Sequence, residues 1–206
     1  MRCVSIIFIF CLLSGQHKYP ADSLLNSPDM SIIHKTGIVI IAGWQRISYN
    51  TNLFNCQFHP SCSNYGAHAI KEFGPILGSV IVSDRVIRCN PFALYYQLKY
   101  QRSFHEIDGR LNDPVIPSTI LKSNKSPILA GVFSALIPGL GRIYAGRFID
   151  GTMAMATMYM MTNSAYKAIN NNKPVIASFY ISLSTLIYFG EIYGGWRAAK
   201  FDVLPK

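Results

Sequence analysis

Charge is what this chain has least of. Only 14% of its 206 residues are Asp, Glu, Lys or Arg, against about a quarter in an average soluble protein. Acidic charge is scarcer still: 10 Asp plus Glu stand against 19 Lys plus Arg, for a formal net charge of +9. A nucleic-acid binder is expected to be far more charged in total, with an aromatic stacking pattern or a recognisable motif that is missing here. A soluble cationic enzyme fits poorly too, because half the residues are apolar. Basic and apolar together describe a chain that works at a membrane. The length allows one domain or two small ones.

Catalytic patterns are also missing. Cys56 and Cys62 have five residues between them, and Cys89 follows after 26 more, which is not a standard zinc spacing. Cys56, His59, Cys62 and Cys89 could supply four ligands only if two helices returned Cys89 to the loop, so no metal site is expected. A nucleophilic cysteine needs a base and an oxyanion donor; His59 and His68 are present, but no third group accompanies them. Three cysteines beyond the leader is an odd number, and a Cys56–Cys62 pair would leave Cys89 over. The thiols are expected to define the fold rather than to catalyse. No enzyme activity, cofactor or small-molecule substrate is expected.

What is present begins with a leader. Residues 1–15, "MRCVSIIFIFCLLSG", place one arginine before a short apolar run, the layout of a signal peptide or of a short N-terminal anchor. Residues 16–31 are polar and turn-rich and read as linker. The run "TGIVIIAGW" at 36–44 is flanked by Lys35 and Arg46. It cannot span the roughly 30 Å hydrocarbon core as a helix. Extended from Ile32 to Ile47 it predicts an interfacial helix, with Trp44 at headgroup level and Arg46 beside it.

The loop "NCQFHPSCSNY" follows, where Ser61 or Ser63 can cap a helix start. Tyr65, Ala69 and Phe73 then lie along one helical face, and Gly74 and Pro75 punctuate it. A further helix runs to Pro91. Arg85 and Arg88 share a face there, an arrangement that can offer paired cations to lipid phosphates. Residues 31–126 hold ten Lys plus Arg against five Asp plus Glu, which favours an anionic leaflet.

"WQRIS", "CQFHPSCSNYGAHAIKEFG", "DRVIRCNP" and "NDPVIP" occur in this order over residues 44–117. Together they resemble the YidD family, the membrane protein insertion efficiency factors. Gln45 matches the family's early glutamine, with Trp44 where tyrosine is usual. Cys56, Phe58, Pro60, Cys62, Ser63 and Tyr65 match its loop, with Gln57 and Ser61 where arginine and threonine are usual. Ala69, Ile70 and Gly74 match its helix; Arg85, Arg88, Cys89, Asn90 and Pro91 match its second signature. Asp113, Pro114 and Val115 match its tail, although the family's glycine pair is absent and an insert occupies 92–112. The resemblance implies a small membrane-associated helical domain at 32–117 that assists late steps of membrane-protein insertion, without catalytic residues.

Composition changes after the second linker, 118–126. Residues 127–141 read "PILAGVFSALIPGLG", and two long stretches of weak polarity follow before residue 200. Each is near membrane-spanning length, with small residues for close helix contact and Tyr or Trp near the ends. The expectation for 127–200 is a transmembrane hairpin or a three-helix membrane domain, and for the whole chain an all-α fold. Pro138, Gly139, Gly141, Tyr144, Gly146 and Gly151 resemble the P-G-x-G turn of small bacterial membrane domains, with Arg142 where glutamine is usual. They lack the lysine of a phosphate loop.

Arg142 and Arg147 at one end, with Arg197 and Lys200 at the other, place both ends of the hairpin in the cytoplasm by the positive-inside rule. If 127–141 makes a third span, the first domain faces outward, as the leader favours. If it is re-entrant or interfacial, that domain is cytoplasmic, as the charges of 85–125 favour, and this is the expectation carried forward. Three functions compete. One is a non-enzymatic accessory to insertion at the bacterial inner membrane, in contact with an anionic bilayer and with insertion machinery and nascent membrane proteins. The second is a structural or membrane-perturbing envelope protein. The third is a metal- or thiol-dependent protein using Cys56, His59, Cys62 and Cys89.

Overall fold

In the computed structural model, residues 19–50, 56–117 and 124–202 are described. The leader at 1–15 and its two cysteines lie outside the described residues, as does most of the 118–126 linker. The described chain is helical, with eight helices and one pair of two-residue strands.

Helix α1 (Pro20–Leu25) and helix α2 (Ile32–Ser48) open the chain. The 16–31 segment read as linker is therefore partly ordered: Ala21 and Met30 are buried against Ile38 and Ala42 of α2. Ser31 caps α2, its hydroxyl accepting from the amide of His34. Ile38, Ala42, Gln45 and Ser48 recur at three- and four-residue intervals and form the buried face.

Strand β1 (Phe58–His59) leads into helix α3 (Cys62–Arg88), capped by Ser61, whose oxygen accepts from the amide of Asn64. Gly74, at φ 80° and ψ 170°, interrupts it. That conformation suits glycine alone, and Pro75 restarts the helix where its missing N–H costs nothing. The second arm folds back along the first, so closely that a Cβ on Gly78 would lie 2.7 Å from Ile70 Cα. Tyr65, Ala69 and Ile81 pack between the arms. The reversal brings Cys89 home to Cys62.

Helix α4 (Ala93–Lys99) and a loop occupy the 92–112 insert, which ends in strand β2 (Leu111–Asn112), paired in parallel with β1 in the register Phe58 to Leu111. Helix α5 (Pro127–Leu136), capped by Ser126, turns through Gly139 into helix α6 (Leu140–Tyr144). Helices α7 (Phe148–Asn170) and α8 (Pro174–Phe201) form an antiparallel pair. Among the described residues α8 alone is both long and apolar enough to cross a membrane. Its 28 residues measure about 42 Å at about 1.5 Å per residue. The second expected span, α7, has the length but not the composition. Residues 127–141 do not form a third span either: α5 has ten residues, about 15 Å, and ends before Pro138.

Candidate functional site

Three features meet in the first half of the chain. The outermost is an apolar stripe. On α2, Ile33, Ile40, Trp44 and Ile47 are all exposed, Ile40 to 78%. The tip of the α3 hairpin packs beside the first half of α2, Pro75 against Gly37 and Gly74 near His34. Its exposed Phe73, Ile76 and Leu77 therefore extend the stripe. Patches of this kind mark interaction surfaces. Arg46, expected at the membrane interface, instead holds Asp22 of α1 at 2.9 Å.

Next lies the corner built by the cysteine loop. Gln45 is fully buried, accepting from the amide of Ala21 at 3.0 Å and donating to Ser63 at 3.3 Å, so one amide ties α1, α2 and α3 together. Cys56, Cys62 and Cys89 have their sulfurs within 4.8 Å of one another. The Cys56 thiol is pushed down by hydrogen bonds from Cys62 and then Cys89, which offset its burial. Cys62 is pushed up by its contacts with Cys56 and Cys89 and by burial. His59, the remaining candidate ligand, turns away and stacks on His105 with ring centres 3.6 Å apart.

Innermost is an ionic core. Arg85 and Arg88 do share a helix face, as their spacing requires, but the face points inward. Both are buried, and lipid phosphates cannot reach them. The Arg85 guanidinium lies between the rings of Phe58 at 4.0 Å and Tyr65 at 4.6 Å, and donates to the carbonyl of Pro60. Arg85 and Arg88 both donate to one oxygen of Asp113; Arg197 donates to the other at 2.7 Å, with Arg102 at 3.5 Å. Asp84 receives Arg88 at 2.9 Å and Arg142 at 2.8 Å, and Arg142 also grips Glu191 through two nitrogens. Arg147 joins Asp150 to Asp202, Asp202 pairs with Arg102, and Asn90 donates to Asp150 at 2.7 Å. Burial alone would raise Asp84 and Asp113, but their arginines hold both carboxyls below the ordinary range. The remaining motif residues Pro91 and Pro114 are exposed.

The network fastens α3 to α6, α7 and α8, and the glycine turn lets it close. Gly139 takes a left-handed φ of 91°. A Cβ on Gly141 would meet the carbonyl of Ala130 at 2.0 Å, and one on Gly151 would meet Ile143 at 2.5 Å. Gly146 is likewise left-handed at φ 95°, Pro138 is half-buried, and the Tyr144 hydroxyl accepts from the amide of Ser126. Small residues here permit close backbone contact.

Asp84, Asp150, Glu191 and Asp202 were not candidates by sequence reasoning, nor were Arg102, Arg142, Arg147 and Arg197 as buried partners. One signal was available: Glu191 is the sole charge in the 23 residues "PVIASFYISLSTLIYFGEIYGGW", and a lone charge in an apolar segment needs a partner.

Residues 33–96 match the YidD family, described as "Putative membrane protein insertion efficiency factor". Proteins of that name resemble this chain over part of its length. One from Azoarcus sp. is 37% identical over 59 residues, 28% of this chain and 86% of the relative. One from Sodalis glossinidius is 37% identical over 65 residues, 32% of this chain and 76% of the relative. For one from Exiguobacterium sp. the identity is 44% over 52 residues, 25% of this chain, and the chain spans 58% of that relative's length. No solved structure matches this chain.

Proposed function

This chain belongs to the YidD family, and from that premise we propose that it is a non-enzymatic accessory to the insertion of integral membrane proteins into the bacterial inner membrane. The observation that carries this reading beyond the family name is the exposed stripe of Ile33, Ile40, Trp44 and Ile47, continued by Ile76 and Leu77. A surface of that composition is stable against lipid or against the apolar segment of another chain, and unstable against water. Helix α8 supplies the anchor: it exceeds the roughly 30 Å hydrocarbon core in length and carries exposed Val175, Phe179 and Phe189. With α8 in the bilayer, the α2 stripe lies at the membrane surface and the first region, 32–117, faces the cytoplasm, where nascent chains arrive.

The breaks at Pro138 and Gly139 remove the third span on which the outward alternative was built. The positive-inside argument does not support it, since Arg142, Arg147 and Arg197 are each neutralised by a carboxylate inside the protein. Depletion of the protein in cells tests the function. The expected result is slower protease protection of newly made multi-span proteins, rescued by the wild-type chain and not by Ile40→Lys/Trp44→Glu. Unchanged insertion kinetics on depletion would overturn the proposal. Alkylation of a cysteine placed at Glu72 in intact cells reads sidedness separately, with rapid labelling by an impermeant reagent counting against the cytoplasmic placement.

A further inference from the structure

Cys56, Cys62 and Cys89 arrive at one point from three places: the loop before β1, the first turn of α3, and the residue after its last turn. The distances say what such a cluster is built for. Cys56 and Cys62 have sulfurs 3.6 Å apart, far from the roughly 2.05 Å of a disulfide. Three sulfurs each about 2.3 Å from a shared zinc ion lie about 3.8–4.0 Å from one another. The trio, all within 4.8 Å, is already near that triangle.

Two N–H donors also point at these sulfurs. The amide of Cys62 donates to the Cys56 sulfur at 3.4 Å, and the Gln57 side chain donates to the Cys89 sulfur at 3.8 Å. Cys62 stands at the positive end of the α3 dipole. None of the three is fully buried, and Cys56 borders an open cleft of about 610 Å³ that also exposes His59, Ser61 and Arg110. Cysteines used only for packing are usually fully enclosed and lack such donors. A chain spacing foreign to zinc motifs ceases to matter once the hairpin, rather than local sequence, supplies the third ligand.

We infer that Cys56, Cys62 and Cys89 form a binding site for one thiophilic d10 cation, zinc(II), held by three thiolates with a fourth position open to the cleft. Sulfur ligands select such an ion over magnesium or calcium. Each thiol releases its proton to solvent as the metal–sulfur bond forms, and no electron is transferred. Among the described residues no fourth protein ligand is in place, because His59 is committed to His105 and Arg110. Water or a ligand entering the cleft completes the tetrahedron. The ion would pin the motif loop to both ends of the hairpin, and the site is independent of any role in insertion.

The test uses the full chain, purified in detergent with its thiols reduced, and cobalt(II) as the optical stand-in for zinc. The expected result is saturation at one equivalent, with thiolate-to-cobalt charge-transfer bands and the visible bands of a tetrahedral centre, both erased by one equivalent of zinc. Cys62→Ser is expected to lose the charge-transfer bands, and Cys3→Ser/Cys11→Ser to keep them. Reduced wild-type protein that develops no charge-transfer band overturns the inference without reference to any variant. So does a spectrum that survives in Cys62→Ser, or one that vanishes in Cys3→Ser/Cys11→Ser with helicity intact by circular dichroism.

Discussion

The second arm of α3 and the outer face of α2 are near neighbours with opposite chemistry. Arg85 and Arg88 of the arm are sealed from solvent, while Ile33, Ile40 and Ile47 of α2 stand in the open. A protein surrounded by water is arranged the other way, because burying charge and exposing aliphatic surface both oppose folding. The contrast extends across the molecule. Six arginines and five carboxylates are joined inside, whereas Ile76, Val175 and Ile176 face outward. Charge collects where it can be matched residue by residue, and apolar surface collects where lipid would receive it. The lesson is that scarce charge is not idle charge: six of the chain's ten acidic residues are buried.

The contrast can be broken most severely at its hub. Asp113→Ala leaves four guanidinium groups facing a void, and removing one partner of a buried pair costs about 3–5 kcal/mol. Thermal unfolding in detergent is expected to show that loss, with Asp113→Asn intermediate; an unchanged transition would show that the core is not ionic in solution. Acid acts on the same groups more gradually. Asp84, Asp113 and Asp202 are raised by burial, but their arginines outweigh this and leave them below the ordinary range. Their contribution is then fully present above the unfolded carboxyl value of about 3.9 and lost as pH falls from there through the lower folded values. Melting temperature should be level with respect to these groups from pH 7 to about 5 and drop below about 4; a rise on acidification would contradict the pairing.

Smaller effects sharpen the comparison. Gly141→Ala puts a methyl into the carbonyl of Ala130, and overpacking of this kind costs about 1–3 kcal/mol. Near-wild-type stability by the same melt would mean α5 and α6 sit further apart than described. On the apolar side, Ile40→Lys should change stability by only about 0.5 kcal/mol, since the residue is 78% exposed. It should nevertheless weaken the adhesion of a 19–117 fragment to anionic vesicles in a flotation assay, provided the fragment is helical by circular dichroism. A variant that floats as well as wild type would remove α2 from the membrane.

Much of this was legible from residues alone. Apolar runs and caps located α2, both arms of α3 and the long C-terminal helices, and Gly74 with Pro75 marked the break between the arms. The meeting of Cys56, Cys62 and Cys89 appeared only as a condition, because spacing does not reveal that two arms fold together. Arg85 and Arg88 were placed on a common face correctly, but periodicity says which residues share a face and not what that face meets. Their main partner, Asp113, lies 28 residues from Arg85 and 25 from Arg88, and Arg197 reaches the same carboxylate from 84 residues away. Likewise Arg142, Arg147 and Arg197 read as free cytoplasmic charge because their carboxylates were far along the chain or, like Asp150, looked like ordinary surface residues.

The pairing of Arg102 with Asp202 spans 100 residues, and that separation is also a delay. At about 5–20 residues per second, a ribosome needs about 5–20 s to travel between them. Throughout that interval Arg102 lacks Asp202, and for nearly all of it Asp113 lacks Arg197. The early half of the molecule thus leaves the ribosome with unmatched cations and a hairpin whose inner face is still waiting. Its final form is a matter of timing as much as of contacts, completed only when the last helix swings in and closes the account of charge.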